Sequence, residues 1–489
     1  MWAVILMEFE PVIGLEVHVE LLTESKMFCG CQVVDSTSAA PNTTVCPVCA
    51  GMPGSLPVAN ERAIEFALRV ALALECEIAP VSIFARKNYF YPDLPKGYQI
   101  TQYEQPLAVN GKITLQTSQG EKLIRIRRVH IEEDTGKLTH VEQYGESFSL
   151  VDLNRAGVPL LEIVTEPDFR SAEEVRAYGM ALRSLVRYLG VNSGDLEKGV
   201  MRIEPNISVR PVGMERFGTK VEIKNLNSFR ALERGVAYEI KRHELLLRAG
   251  KKVAQETVGW DEGRQATYSQ RSKEDAHDYR YFPEPDLPPL VLDEAFVEQV
   301  RRSLPELPQA RQRRFVADYG LSEAEAAQLV EEKATAEYYE RAVTAAQVPA
   351  RVIFSWLTGE MSSLMKSAGS GIESVNVSPS ALAALLKMIA DGQINQLTGK
   401  AVLAEMFASG SSAAEIVASK GLAQVSDSDF IARIVRDALA ENLKEVESYR
   451  AGKLTVANFL FGQVMKKAQG KANPQVVRAE LEKQLQSEG

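Results

Sequence analysis

Alternation of apolar and polar residues is the clearest signal in the first third of the chain. From Ile13 to Leu21 the odd positions are Ile13, Leu15, Val17, Val19 and Leu21, while Glu16, His18 and Glu20 fall between them. Successive strand side chains point to opposite faces, so this segment buries one face and presents two carboxylates and an imidazole on the other. In Val129–Asp134 the residues Val129 and Ile131 face a core, and His130, Glu132 and Asp134 share the opposite side. In Met201–Arg210 the core set is Ile203, Ile207 and Val209, and the polar set is Arg202, Glu204, Asn206, Ser208 and Arg210. Glu222 stands between Lys220 and Lys224 in a fourth such run. The pattern predicts strands at 11–21, 123–134, 200–210 and 219–224.

Helical periodicity appears at three places among these strands. One helix starts after Asn60 and runs through Ile64, Leu68 and Leu72. A second starts at Ser171, with Glu174 placed for a capping box, and stops at Gly190. A third, amphipathic and rich in charged pairs, covers about 229–250. The proline-rich run Phe282-Pro-Glu-Pro-Asp-Leu-Pro-Pro289 cannot be helical and reads as an extended boundary segment. Beyond it the texture is helical, with Leu382, Leu385, Leu386 and Met388 at helical spacing and Asn473-Pro474 at a helix start. Segments 367–371 and 408–412 read as connectors. The expected class is α+β: an antiparallel sheet with helices over residues 1–292, then all-α parts over 293–408 and 409–489.

Composition narrows the reading. The chain has 489 residues and a formal net charge of −9, so a whole-surface attraction to nucleic acid is excluded while a local basic patch is not. The apolar start, Met1–Met7, is too short and lacks a basic leader, and no later run reaches the length of a membrane span. The expected location is cytoplasmic, with no membrane partner. Four of the five cysteines form Cys29-Gly-Cys31 and Cys46-Pro-Val-Cys49. Two thiolate pairs joined by a loop fit tetrahedral Zn²⁺, a knuckle spanning 29–49. Disulfides fit poorly without a secretory signal. Cys76, in an apolar helical run, reads as a buried core thiol.

A one-sided sheet always has a wet face, so one polar strand face carries little meaning. Four together carry more. Carboxylates and imidazoles suit a divalent cation, lysines and arginines suit a polyanion, and such a face can hold a metal–phosphate ligand. No Walker A pattern occurs and no G-x-G-x-x-G follows a strand, so any phosphate must be held by side chains and turn amides. Candidate segments are Arg86–Gly97, with Lys87, Tyr89 and Lys96, and Arg271–Tyr281, with Arg271, Lys273 and Arg280. Both mix cations with aromatics that can grip phosphate and stack on bases. Each can equally be a solvated loop.

Six segments carry a family resemblance: Pro11–Leu21, Arg86–Ile100, His130–Asp134, Leu150–Pro159, Val221–Ser228 and Asp278–Pro289. In order and in detail they resemble the B-subunit family of the aspartyl/glutamyl-tRNA amidotransferases, and the likeness continues to Gly470-Lys-Ala-Asn-Pro474. The resemblance implies a cradle-shaped N-terminal domain with a zinc knuckle, a helical domain, and a tail domain that meets tRNA. It implies that ATP and Mg²⁺ activate the side-chain carboxylate of Glu or Asp on mischarged tRNA(Gln) or tRNA(Asn) as an acyl phosphate. Ammonia released from glutamine or asparagine by an amidase A subunit then displaces the phosphate, with a small C subunit tying A and B together. Carried over, the metal ligands and catalytic residues fall on Glu16, His18, one of Glu132 and Glu133, and Glu222. Parity favours Glu132, and a bulge at the strand end would exchange it for Glu133. The nucleotide falls to Lys87, Tyr89, Lys96, Glu204, Lys220, Lys224, Arg271, Lys273 and Arg280. An imidazole is an uncommon Mg²⁺ ligand, which makes Mn²⁺ a good substitute. One departure is visible: the family's Arg-Cys-Asp-Ala-Asn reads Arg202-Ile-Glu-Pro-Asn206 here, which lengthens the reach of the carboxylate at Glu204.

The tail carries Arg450, Lys453, Lys466, Lys467 and Lys471, which is a solvated helix face on charge alone and a tRNA-contacting surface by resemblance. Two rival readings stay open: a non-catalytic tRNA-binding scaffold, and a free-standing metallohydrolase. The first gives no reason to gather Glu16, His18 and Glu132 on one face, and the second predicts turnover by this chain alone.

Overall fold

The computed structural model describes residues 8–143, 145–272, 278–423, 428–468 and 472–487. The chain forms two compact units, Met1–Pro308 and Gln309–Gly489. The first is built on a nine-stranded sheet. Its strands are β1 (Phe9–Glu20), β2 (Glu77–Ile78), β3 (Ala108–Thr117), β4 (Gly120–Glu133), β5 (Pro159–Thr165), β6 (Met201–Pro211), β7 (Val221–Lys224), β8 (Glu256–Asp261) and β9 (Ala266–Ser272). Their order across the sheet is β9-β8-β7-β6-β1-β5-β4-β3-β2. All neighbours are antiparallel except β7 and β8, which run parallel.

The apolar face of this sheet is covered by helices α1 (Glu61–Ala73), α2 (Ala172–Tyr188) and α3 (Phe229–Arg248). Asn60 caps α1 by accepting from Arg62 N and Ala63 N, and Ser228 caps α3 by accepting from Ala231 N. Ser171 caps α2 through Glu174 N. The reciprocal half of the expected capping box is shifted: the Glu174 carboxylate accepts from Arg170 N and pairs with Lys122. Ile13, Val17, Val19, Val129, Ile131, Leu161, Ile163, Ile207, Val221 and Ile223 are buried beneath the helices. Cys76 belongs to the same core, beside Gly111, where an added Cβ would lie 2.2 Å from its sulfur.

The polar face carries Glu16, His18, Glu162 and Glu204. Beside it runs a three-stranded sheet of Phe84–Asn88, Tyr98–Gln102 and Phe282–Pro283. The proline-rich segment is non-helical but extended only in part, as strand at Phe282–Pro283 and with a turn at Pro285-Asp286, and it is fastened to this sheet: buried Glu284 takes a bidentate pair from Arg86, whose guanidinium lies 4.2 Å from the Tyr98 ring centroid.

Among the described residues the second unit is helical, with two apolar cores. One gathers residues from Phe315 to Val417 and the other from Ile431 to Leu485. The connectors read at 367–371 and 408–412 contain left-handed glycines, Gly369 and Gly410, that end helices Ser362–Ala368 and Gln396–Ser409. Among the described residues no single helix is long and apolar enough to cross a membrane.

Candidate active site

Strand register decides which polar residues meet. His18 on β1 stands opposite Arg202 on β6 and Glu162 on β5, and Glu162 stands opposite His130 on β4. Arg202, His18, Glu162 and His130 therefore form one line across four strands, with neighbours close enough to interact directly. The adjacent line places Glu204 opposite Glu16. These residues floor a cleft of about 880 Å³.

At its centre, donor atoms of His18, Glu132 and Glu162 lie within 4.8 Å of one another. His18 Nε2 is 3.5 Å from Glu162 and 3.7 Å from Glu132, and His130 Nε2 is 3.1 Å from Glu162. Thr101 Oγ1 donates to Glu132. Burial disfavours the charged form of His18, but the hydrogen bond and charge of Glu162, then the charges of Glu204 and Glu132, outweigh it and push the imidazole up to about 9. Burial also opposes ionisation of Glu162, and His130 and His18 overcome it, holding that carboxyl well below its ordinary range. Glu16 is raised, first by burial and then by the charge of Glu162. Its carboxylate accepts from Asn206 Nδ2 at 3.0 Å. A buried carboxylate cluster of this charge is a natural seat for a hard cation.

Cations line the walls. Lys224 reaches both Glu204 at 3.3 Å and Glu222 at 3.4 Å, and Glu222 accepts from Thr257 Oγ1 at 3.0 Å. Lys220, Arg127 and Arg128 also line the cleft. Lys87 enters from the small sheet, its ammonium 4.9 Å from the Tyr279 ring and 6.0 Å from that of Tyr89. Tyr281 stacks on Tyr103 with ring centroids 3.9 Å apart. The cleft thus offers a hard-cation seat, positive walls for a polyanion and aromatic faces for a base.

The four clustered cysteines also meet. Cys49 Sγ lies 3.7 Å from Cys29, 3.5 Å from Cys46 and 3.7 Å from Cys31. A tetrahedral metal with sulfur ligands at about 2.3 Å requires sulfur–sulfur edges of about 3.8 Å. The thiols are preset for a metal of that kind. Gly51, which closes the knuckle, has φ +66°, and a Cβ there would fall 2.6 Å from Lys96 Cγ, so only glycine fits.

With this geometry in place, comparison with known proteins becomes specific. Residues 11–298 match the GatB/GatE catalytic domain, and residues 337–485 match the GatB domain. The chain belongs to the GatB family. Among its relatives is the B subunit of the aspartyl/glutamyl-tRNA(Asn/Gln) amidotransferase of Thermomicrobium roseum, 51% identical over 98% of this chain and 99% of the relative. The proteins of the same name from Myxococcus xanthus, 50% identical over 98% and 99%, and Persephonella marina, 49% identical over 98% and 100%, are similar to it along the same span.

In this GatB-family chain the residues read from sequence divide into three groups. Glu16, His18, Glu132, Glu222, Lys87, Tyr89, Glu204, Lys220 and Lys224 all line the cleft. Glu133 and Lys96 do not. The register at the end of β4 is regular, with Glu132 opposite Leu160 and Glu133 opposite Pro159, so parity holds there and the register shift between β4 and β5 lies at Val164/Thr165. Glu133 therefore turns to the other side, accepting from Ile100 N and pairing with Lys96 at 2.5 Å. Arg280 is exposed, with φ +43°, while its neighbours Tyr279 and Tyr281 face the cleft. Lys273 and the side chain of Arg271 lie outside the described residues. Sequence reading missed Glu162, the residue on which both imidazoles converge. Arg155 and Tyr103, which also line the cleft, carry no sequence signal of their own, whereas Tyr279 and Tyr281 are the aromatics expected from the segment Arg271–Tyr281. The available signal for Glu162 was a lone carboxylate in Pro159-Leu-Leu-Glu-Ile-Val-Thr165, on the face opposite Leu161 and Ile163.

Proposed function

We propose that the cleft activates the side-chain carboxylate of glutamate or aspartate esterified to tRNA(Gln) or tRNA(Asn), as the B subunit of an amidotransferase assembled with an amidase A subunit and a small C subunit. The observation that carries this reading is the convergence of His18, Glu132 and Glu162 beneath walls of lysine and arginine. A carboxylate resists ammonia because oxide is a poor leaving group. One of its oxygens attacks the γ-phosphorus of ATP, ADP departs, and an acyl phosphate results. Ammonia then adds to the acyl carbon, phosphate leaves with the original carboxylate oxygen, and loss of a proton gives the amide.

Bound Mg²⁺ would neutralise phosphate charge, with His18, Glu132 and Glu162 to hold it and Glu16 and Glu222 close by. The chain's own groups do the rest. Lys87, Lys220 and Lys224 offset the negative charge of two anions brought together. Asn206 fixes Glu16, and Glu162 orients both imidazoles. Tyr89, Tyr279 and Tyr281 offer apolar faces to nucleosides. No nucleophilic side chain is needed.

The four-thiol knuckle holds Zn²⁺ as a support for the fold. We carry the cradle, helical and tail division at 1–292, 293–408 and 409–489 as part of the same reading, with the tail meeting tRNA.

Oxygen transfer tests the reaction. Glutamyl-tRNA carrying ¹⁸O in its side-chain carboxylate should yield inorganic phosphate with one ¹⁸O per amide formed by the assembled complex. Unlabelled phosphate would exclude acyl phosphate formation.

A further inference from the structure

Lys26 is a charge in an unexpected place. It is 1% exposed, and among the described residues no carboxylate pairs with it. Its ammonium has three donors, and all three are used: Thr44 O at 2.8 Å, Leu153 O at 3.2 Å and Cys49 Sγ at 3.7 Å. A buried ammonium without an anion is strongly disfavoured. The anion available here is the cysteine cluster. Four thiolates around a divalent ion carry a net charge of −2, and Lys26 lowers the total to −1. The buried lysine and the anionic metal centre therefore each make the other tenable.

The same ammonium ties the knuckle to the segment 151–158. Around it, Met27 N donates to Gly157 O at 2.7 Å, Asn42 Nδ2 to Val151 O at 2.9 Å, and Thr44 N to Asn154 Oδ1 at 3.0 Å. Within that segment Arg155 donates to Thr135 O at 3.1 Å and Gly136 O at 2.7 Å, and pairs with Asp134 at 3.6 Å. Arg155, Asp134 and Thr135 all line the cleft, and the segment runs directly into β5, which carries Glu162.

We propose that Lys26 is a positioning residue through which the cysteine-bound metal holds segment 151–158, and so one wall of the cleft. The knuckle is then a brace whose metal content is read at the cleft. Only the kinetic arm of the test rests on the proposed reaction.

The substitution Lys26→Met keeps the aliphatic stem and removes the charge. In the full-length zinc-loaded chain it should speed zinc loss to a chromophoric chelator by about 10–100-fold, the usual cost of a lost second-sphere partner. Amide hydrogen exchange should rise in 151–158 while the central strand β1 stays protected. In the assembled complex kcat for amidation should fall while KM for ATP changes little, as befits a displaced wall rather than a lost nucleotide contact. Unchanged zinc loss and unchanged exchange in 151–158 would overturn the proposal. If Lys26→Met does not fold, wild-type chain stripped of metal decides the matter. Faster exchange in 151–158 than in β1 supports the brace, and no selective change refutes it. Neither metal release nor exchange involves ATP or tRNA, so failure of the proposed reaction would leave both readouts standing.

Discussion

Glu162 is shared by two imidazoles, and that sharing sets the charge of the whole cluster. The substitution Glu162→Gln keeps its shape and removes the charge. Mn²⁺ affinity, measured by electron paramagnetic resonance titration of the full chain, should drop by at least about 10–100-fold. Unchanged affinity would place the cation elsewhere. A second residue-scale expectation concerns Cys29→Ser. One sulfur of four is lost, so the chain should release zinc and melt at a lower temperature, while ATP affinity holds. A melting temperature equal to wild type would remove the structural role from the knuckle. These residues were not equally legible. Glu16, His18 and Glu132 announce themselves by alternating with apolar neighbours. Glu162 sits between Leu161 and Ile163 in a strand whose other-face neighbours, Leu160 and Val164, are also apolar, so the period-two signal is drowned. Glu132 and Glu133 are neighbours in sequence and opposite in space. Only the regular register of β4 against β5 assigns one to the cleft and the other to Lys96.

At the scale of elements, α3 and the β8–β9 hairpin are joined by a buried ionic knot. Glu239 is fully buried, accepts from Thr267 Oγ1 at 2.6 Å, pairs with Arg242 at 2.8 Å and lies 3.2 Å from His243. Burial opposes its charge, but the adjacent His243 imidazole and the hydrogen bonds from Arg242 and Thr267 outweigh it and hold the carboxyl at about 2. A carboxyl depressed on folding contributes stability above its unfolded value and loses that contribution as pH falls towards the folded value. The contribution is on the order of 3 kcal/mol. The wild type should therefore lose stability between about pH 4.5 and pH 2. Glu239→Gln should be less stable at pH 7 and should lose less over that interval. Parallel acid melts of the two proteins, followed by circular dichroism, would contradict this. The helices were legible because caps and periodicity are local: Asn60, Ser171 and Ser228 each sit one residue before a helix. The alternation of apolar and polar residues does not mark strands β2, β3, β5, β8 and β9. β2 is only two residues long and β5 is nearly all apolar, so their identity comes from partners distant in sequence.

For the whole molecule, the two cores of the second unit suggest where to cut. Ala413, Ile416 and Val417 pack in the core that begins at Phe315, so a truncation that spares that core removes 428–489. The truncated complex should bind tRNA more weakly and recover amidation at high tRNA concentration, because the cleft lies within the first unit. Reversing charge at Lys466 and Lys467 should reproduce part of that loss and flatten the salt dependence of binding. Equal tRNA affinity at moderate salt would assign the tail to assembly or stability. If the polar sheet face does the carboxylate chemistry while ammonia is made elsewhere, the two activities should separate. The most direct measurement compares amidation and glutamine hydrolysis in one preparation of the assembled complex carrying His18→Ala. ATP-dependent amidation of glutamyl-tRNA should be abolished while glutamine hydrolysis survives at least in part. Normal amidation by that variant would contradict that separation.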